Sequence, residues 1–235
     1  MKRSITISGD RIDYELTRKR VKNINLRITT DGVFVSAPRL VPVQTIEAFL
    51  RANAAMILRA RERAQSRRRI STESMTFAEG DCVPYLGCEL PLRIREGTKN
   101  SAALCGGEIV LTVKDASDAA MRRKTMEKWL REECLRTVTA CCEAAYPYFA
   151  RRGVKFPELR LRKMSSRWGS CQPTRGVVTF NSSLISAPLD CVEYVAVHEL
   201  AHFLRADHSA EFYAIVAALI PDWRARRERL NEYEP

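Results

Sequence analysis

All three histidines of the 235-residue chain lie in one stretch, Val197-His198-Glu199-Leu200-Ala201-His202-Phe203-Leu204-Arg205-Ala206-Asp207-His208. Residues four apart stack on one face of a helix with 3.6 residues per turn, so His198 and His202 can grip one ion. Glu199 sits roughly 60° round from His202, too far round to join the pair but able to reach a water on the ion. This is the H-E-x-x-H arrangement: two imidazoles for zinc and a carboxylate as general base toward that water. A catalytic zinc takes a third protein ligand and keeps a fourth position open, and His208 is the obvious third. Glu211 and Asp207 are the fallbacks. Glu211 reads more simply as a carboxylate in the first turn of the next helix, where the dipole favours it, and Asp207 as a turn or capping residue.

The spacing H-E-x-x-H-x-x-x-x-x-H is also used by metzincins, which place Gly where this chain has Arg205. Arg resists the left-handed conformation that Gly adopts freely, so a different turn is expected, one using Asp207.

The elements that must position these residues follow from periodicity. Ile5–Ile7, Ile12–Leu16, Ile24–Ile28 and Val33–Val35 alternate and are rich in β-branched residues, which reads as an antiparallel meander with a hairpin turn at Asp31-Gly32. A helix with a basic C-terminal half follows over about 43–69, carrying Arg59, Arg61, Arg63, Arg67, Arg68 and Arg69. Asp81–Arg95 and Glu108–Val113 read as further strands, and Ser117–Arg151 as a long helix suited to pack behind a metal-bearing one. Leu159–Arg162 and Val177–Phe180 read as strands flanking a loop over Ser165–Cys171. The motif helix starts at Ser186-Ala187-Pro188 and runs to about Leu204; another runs from Glu211 to Leu219 and stops near Pro221. The fold class is α+β, with a β-rich region at 1–115 and the metal-bearing region at 116–235.

With 46% hydrophobic residues the chain can bury a proper core without staples. No apolar run approaches the roughly 18 residues of a membrane span, and the start is not a secretory signal, so a cytoplasmic protein is expected. Eight cysteines without a C-x-x-C pair read as free thiols. The net charge of +11, from 39 Lys and Arg against 28 Asp and Glu, favours anionic partners or is simply a basic surface.

Ser166-Arg167-Trp168-Gly169-Ser170-Cys171, the strand ending at Asn181, His198-Glu199-Leu200-Ala201-His202 with His208-Ser209, and Pro84-Tyr85-Leu86-Gly87 together resemble the YgjP-like family of zinc-dependent hydrolases, related to SprT-like and gluzincin metallopeptidases. The resemblance covers essentially the whole chain and departs at Met56-Ile57, where relatives often carry Trp-Ile. It implies a zincin-like catalytic part with His198, His202 and His208 as zinc ligands and Glu199 as base. Arg167 is the candidate for holding an oxyanion or a phosphate, with bracing of its own loop as the plain alternative. Cys171 as a fourth ligand would close the site and is not expected.

The function that follows is a zinc-dependent metallopeptidase acting on peptide or unfolded-protein substrates, with a peptide adding as a strand beside Val177–Phe180. The alternative is a nucleoside triphosphate pyrophosphohydrolase using the same metal site. A second alternative is a nucleic-acid-associated protease or binding module, with the arginine-rich helix as its footprint.

Overall fold

The computed structural model describes residues 2–7, 10–29, 32–58 and 75–233. The chain divides into two compact units, Met1–Arg68 and Arg69–Pro235.

The first unit contains β1 (Lys2–Ile7), β2 (Asp10–Arg18), β3 (Asn25–Thr29), β4 (Gly32–Ala37) and α1 (Val43–Ala52). The strand order is β1-β2-β4-β3, with β2 and β4 parallel, so the sheet is not the antiparallel meander that alternation suggested. Period-two alternation fixes which face a strand buries but not which strand lies beside it. Here β4 buries Val33, Val35 and Ala37 and takes an inner place, while β3, with Leu26 and Ile28 only half-buried, takes the edge. These side chains close a core with Ile46, Leu50 and Ile57. Helix continues over 54–58, and the arginine-rich part of the expected basic helix, 59–69, lies outside the described residues, as does Asp31 of the expected hairpin turn.

The second unit opens with β5 (Cys82–Tyr85), β6 (Cys88–Glu96), β7 (Ser101–Cys105) and β8 (Glu108–Val113), in the order β5-β6-β8-β7. The expected single strand over Asp81–Arg95 is a hairpin that turns at Leu86-Gly87. The edge strand β7, mostly exposed and without apolar alternation, carried no sequence signal. Next comes α2 (Ala119–Ala150), roughly 48 Å long at 1.5 Å per residue. Asp118 caps it by accepting from the Met121 N–H at 2.9 Å. Its buried residues Met126, Trp129, Leu130, Glu133, Cys134, Val138, Cys142, Ala145 and Phe149 recur every three or four positions and form one stripe.

A three-stranded sheet follows, in the order β10-β11-β9: β9 (Glu158–Arg162), β10 (Gly169–Gln172) and β11 (Val177–Asn181). β10 therefore occupies the second half of the expected loop. The chain ends with α3 (Leu189–Ala201), α4 (Ala210–Leu219) and α5 (Trp223–Leu230). A core running from Phe77 to Leu230 joins β6, β8, α2, α3, α4 and α5. All eight cysteines are unpaired. Among the described residues no helix is long and apolar enough to cross a membrane.

Candidate metal centre

The motif helix α3 is buried on nearly all sides: Cys191, Val192, Val195, Ala196, Leu200 and Ala201 are each under 4% exposed. α2 packs against it from behind. Its entry is held from two directions. The Leu86 N–H donates to the Ile185 carbonyl at 2.6 Å, and on α5 Arg226 donates to the Glu193 carboxylate at 2.6 Å and Arg229 to Asp190 at 2.5 Å. Such fixing matters because a ligand set must be held within fractions of an ångström.

The helix ends at Ala201, three residues before the expected Leu204, with His202 as its C-cap still in right-handed helical geometry. The chain then tightens through Phe203 N–H to Leu200 O and Leu204 N–H to Ala201 O, at 3.1 and 3.0 Å. Among the described residues only Phe77 and Leu86 are non-glycines with positive φ, so the turn toward His208 uses no left-handed residue, neither Arg205 nor Asp207. Asp207 accepts instead from the Ser209 hydroxyl, at 3.0 Å. Arg205 pairs with Glu211 across the turn, which ties the loop bearing His208 to the first turn of α4.

The turn brings the three imidazoles together. His198, His202 and His208 each offer a nitrogen, all within 4.8 Å of one another, and the group includes neither Glu211, Asp207 nor Cys171. The Nε2 atoms of His198 and His208 are 3.1 Å apart. His202 Nδ1 lies 3.2 Å from the Arg205 carbonyl; a carbonyl only accepts, so Nδ1 carries the proton and Nε2 is left as the ligand atom. His198 Nδ1 faces the Tyr194 hydroxyl at 3.5 Å. Burial, together with its two neighbouring imidazoles, pushes His198 down to about 3, and burial also lowers His202. Both rings are thus held neutral, the form that binds a cation.

Glu199, next to His198 on the same helix, is 6% exposed. Burial pushes its carboxyl up to about 7, while the Arg167 guanidinium pulls it down. The reason for a glycine in the Arg-Trp-Gly-Ser-Cys segment is visible here. A Cβ on Gly169 would fall 2.5 Å from Glu199 Oε1 and 2.8 Å from its Cδ, so any larger residue would displace the carboxylate. The fully buried Asn181 at the end of β11 holds the preceding loop. Its amide donates to the carbonyls of Met164 at 2.7 Å and Arg167 at 3.1 Å, and its oxygen accepts from Ser183 N–H. Asn181 therefore sets the backbone from which the exposed Arg167 projects.

Two residues at the site were not singled out from the sequence. Phe212 is fully buried, with its ring centroid 4.9, 4.7 and 4.9 Å from those of His198, His202 and His208, so it forms a common apolar wall. Its signal was an aromatic four residues after His208 in the first turn of a capped helix. Tyr194, one turn before His198, carried the same i, i+4 signal.

A family model described as "YgjP-like, metallopeptidase domain" matches residues 22–233. The crystal structure of the metallopeptidase zymogen abylysin of Pyrococcus abyssi is similar to this chain at 21% identity, covering 40% of this chain and 90% of that one, with a TM-score of 0.36. Comparison with curated proteins returns no match.

Proposed function

Because the chain belongs to the YgjP-like metallopeptidase family, and so to the metal-dependent peptidases, we propose that it hydrolyses peptide bonds with zinc held by His198, His202 and His208 and with Glu199 as general base. The observation that carries this reading is the convergence of three imidazole nitrogens within 4.8 Å beside a buried carboxylate on the same helix. The donor set fits zinc: three imidazole nitrogens, no thiolate, and a position left for substrate. Zinc bound there supplies a Lewis acid for a carbonyl and makes a nearby water easier to deprotonate.

The chain's own residues do the rest. Glu199 takes a proton as the water oxygen bonds to the carbonyl carbon, then delivers it to the leaving nitrogen as the C–N bond breaks. Arg167, whose field reaches Glu199, is assigned to the developing oxyanion.

The sheet corrects where a peptide can add. β11, with Val177–Phe180, is central, flanked by β9 and β10, and has no free edge. β10 is an edge strand, on the side of the sheet whose Gly169 lies against Glu199. The bond from Asn181 N–H to Trp168 O makes these two a hydrogen-bonded pair, so by antiparallel alternation the backbone groups of Gly169 and Cys171 point away from β11. A peptide strand pairing there would pass beside Glu199, which Gly169 touches.

The test is hydrolysis of unfolded-protein substrates by the zinc-loaded protein, with Glu199→Gln and Gly169→Ala beside it. Glu199→Gln should lose about 10²- to 10⁴-fold in kcat with zinc content unchanged. Gly169→Ala should lose about 10²-fold by misplacing the same carboxylate. Full activity in Glu199→Gln would sink the assignment. Release of pyrophosphate from nucleoside triphosphates without proteolysis would replace the substrate.

A further inference from the structure

A cavity of ≈ 530 Å³ opens beside the end of the motif helix, lined by Phe203 and Leu204 just past His202, by Phe156, and by Arg152, Lys155 and Arg175. No carboxylate lines it. Arg152 is engaged: it donates to the Tyr148 carbonyl at 2.8 Å, with its guanidinium carbon 3.6 Å from the centroid of that ring. Lys155 and Arg175 are exposed and form no ion pair among the described residues. Phe156 is 40% exposed, a large apolar ring facing water with one edge on Tyr146. An aromatic surface flanked by cations without a carboxylate partner is complementary to a carboxylate carried near apolar atoms.

The position relates the cavity to the site. Its wall at Pro173–Arg175 is the turn that directly follows β10, whose Gly169 touches Glu199. An extended peptide advances about 3.3 Å per residue. A strand paired along β10 from Gly169 to Gln172 therefore reaches the cavity roughly three residues, about 10 Å, from the bond beside Glu199.

The geometry points to a specificity subsite for acidic peptide segments in this cavity, reading a Glu or Asp about three residues from the cleaved bond through Lys155 and Arg175. The assignment rests on the metallopeptidase reading and names the substrate class for it. A peptide is favoured over a nucleotide because the cavity wall at Pro173–Arg175 directly follows β10, an edge strand with which an extended backbone can pair.

The test uses the zinc-loaded full chain and one apolar decapeptide with Glu, Lys or Ala placed at each position in turn. Wild type should prefer Glu over Lys about 3- to 10-fold in kcat/KM at one position, the effect expected of one or two exposed charge contacts. The double variant K155E/R175E should abolish or invert that ratio. K99E/K114E, with the same change in net charge outside the cavity, should keep it. No acidic preference at any position, or equal loss in both double variants, overturns the subsite. A second readout separates this from failure of the peptidase reading: fluorescence anisotropy of labelled Glu and Lys decapeptides on Glu199→Gln protein with and without K155E/R175E. Tighter binding of the Glu peptide that needs Lys155 and Arg175, with no cleavage by wild type, would leave the subsite standing and remove the peptidase. Binding of a nucleoside triphosphate in place of the peptide, lost in K155E/R175E, would overturn the acidic-peptide assignment.

Discussion

β1–β4 and β5–β8 are laid out alike: in each sheet the first two strands pair antiparallel, the second and fourth pair parallel, and the third closes as an antiparallel edge. A helix follows each sheet, α1 in one case and α2 in the other. The two differ in what their buried faces meet. Val33 and Val35 of the first sheet close a core with Ile46, Leu50 and Ile57 of the same unit. Leu92, Ile109 and Leu111 of the second share a core with Val195, Ala196 and Leu200 of the helix that carries the histidines. The second sheet also meets the chain entering that helix, through the Leu86 and Gly87 N–H groups on the carbonyls of Ile185 and Ser186 at 2.6 and 3.3 Å. One strand order thus serves either as a self-contained module or as a foundation for a site. The helix packed on the sheet and the hairpin turn at its end make that difference.

The largest effects should come from cutting a cavity in each core. Ile46 and Ile109 are both fully buried, and replacing either by Ala should cost about 2–5 kcal/mol. Ile46→Ala should lower the unfolding transition of the first unit and leave zinc affinity unchanged. Ile109→Ala should lower the transition of the unit that bears the histidines. Because zinc bound to the native state alone raises the transition of the unit that holds it, added zinc should lift only the transition that Ile109→Ala lowers. Denaturation followed with and without zinc reads this directly. A single transition lowered by both substitutions and raised by zinc would break the comparison.

The hairpin turn comes next. Gly87 has φ +83°, and a Cβ there would lie 2.9 Å from both Cα and Cγ of Pro188, the residue that precedes α3. Gly87→Ala should therefore cost about 1–3 kcal/mol, combining backbone strain with a push on the helix entry, and should lower kcat several-fold. Gly80 isolates the second part. It has φ +82° but open space around it, so Gly80→Ala carries the strain without the push and should leave kcat unchanged. Equal losses of kcat in the two variants would show that the contact with Pro188 does not position the helix.

The same contrast explains what could be read before any coordinates. The helical spacing of His198 and His202, the stripe along α2, the alternation of β9 and the β-branched run of β11 are local signals, and each element formed over the stretch they mark, with ends shifted by up to three residues. What depended on neighbours was not legible. The parallel pairing of β2 with β4, the hairpin hidden in Asp81–Arg95, the edge strand β7 and the place of β10 are set by contacts distant in sequence. Gly169 shows the limit best. As a letter it suggests a turn, yet it lies in a strand and its value is the space it leaves for a carboxylate thirty residues later. Asn181, a strand-end residue in the sequence, is the buried amide that braces the Arg167 loop.

The smallest expected effect belongs to Tyr85, at the end of β5, which ties the second sheet to α2. Its hydroxyl donates to Glu133 Oε2 at 2.7 Å, and its ring stacks on Trp129 with centroids 5.6 Å apart. Tyr85→Phe keeps the ring and removes the hydroxyl. A hydrogen bond to a charged group contributes about 1.5–3 kcal/mol, but Glu133 retains Arg136, so a loss of about 1 kcal/mol is expected. Burial and the Glu133 carboxylate push Tyr85 up to about 12 from its ordinary 10. A pKa raised on folding contributes stability that is complete below pH 10 and fades as pH climbs toward 12. The gap between wild type and Tyr85→Phe in denaturant midpoint should therefore be constant up to about pH 10 and shrink above it. No gap at any pH would mean that the ring's packing on Trp129, rather than the bond to Glu133, fastens this sheet to the helix behind the histidines.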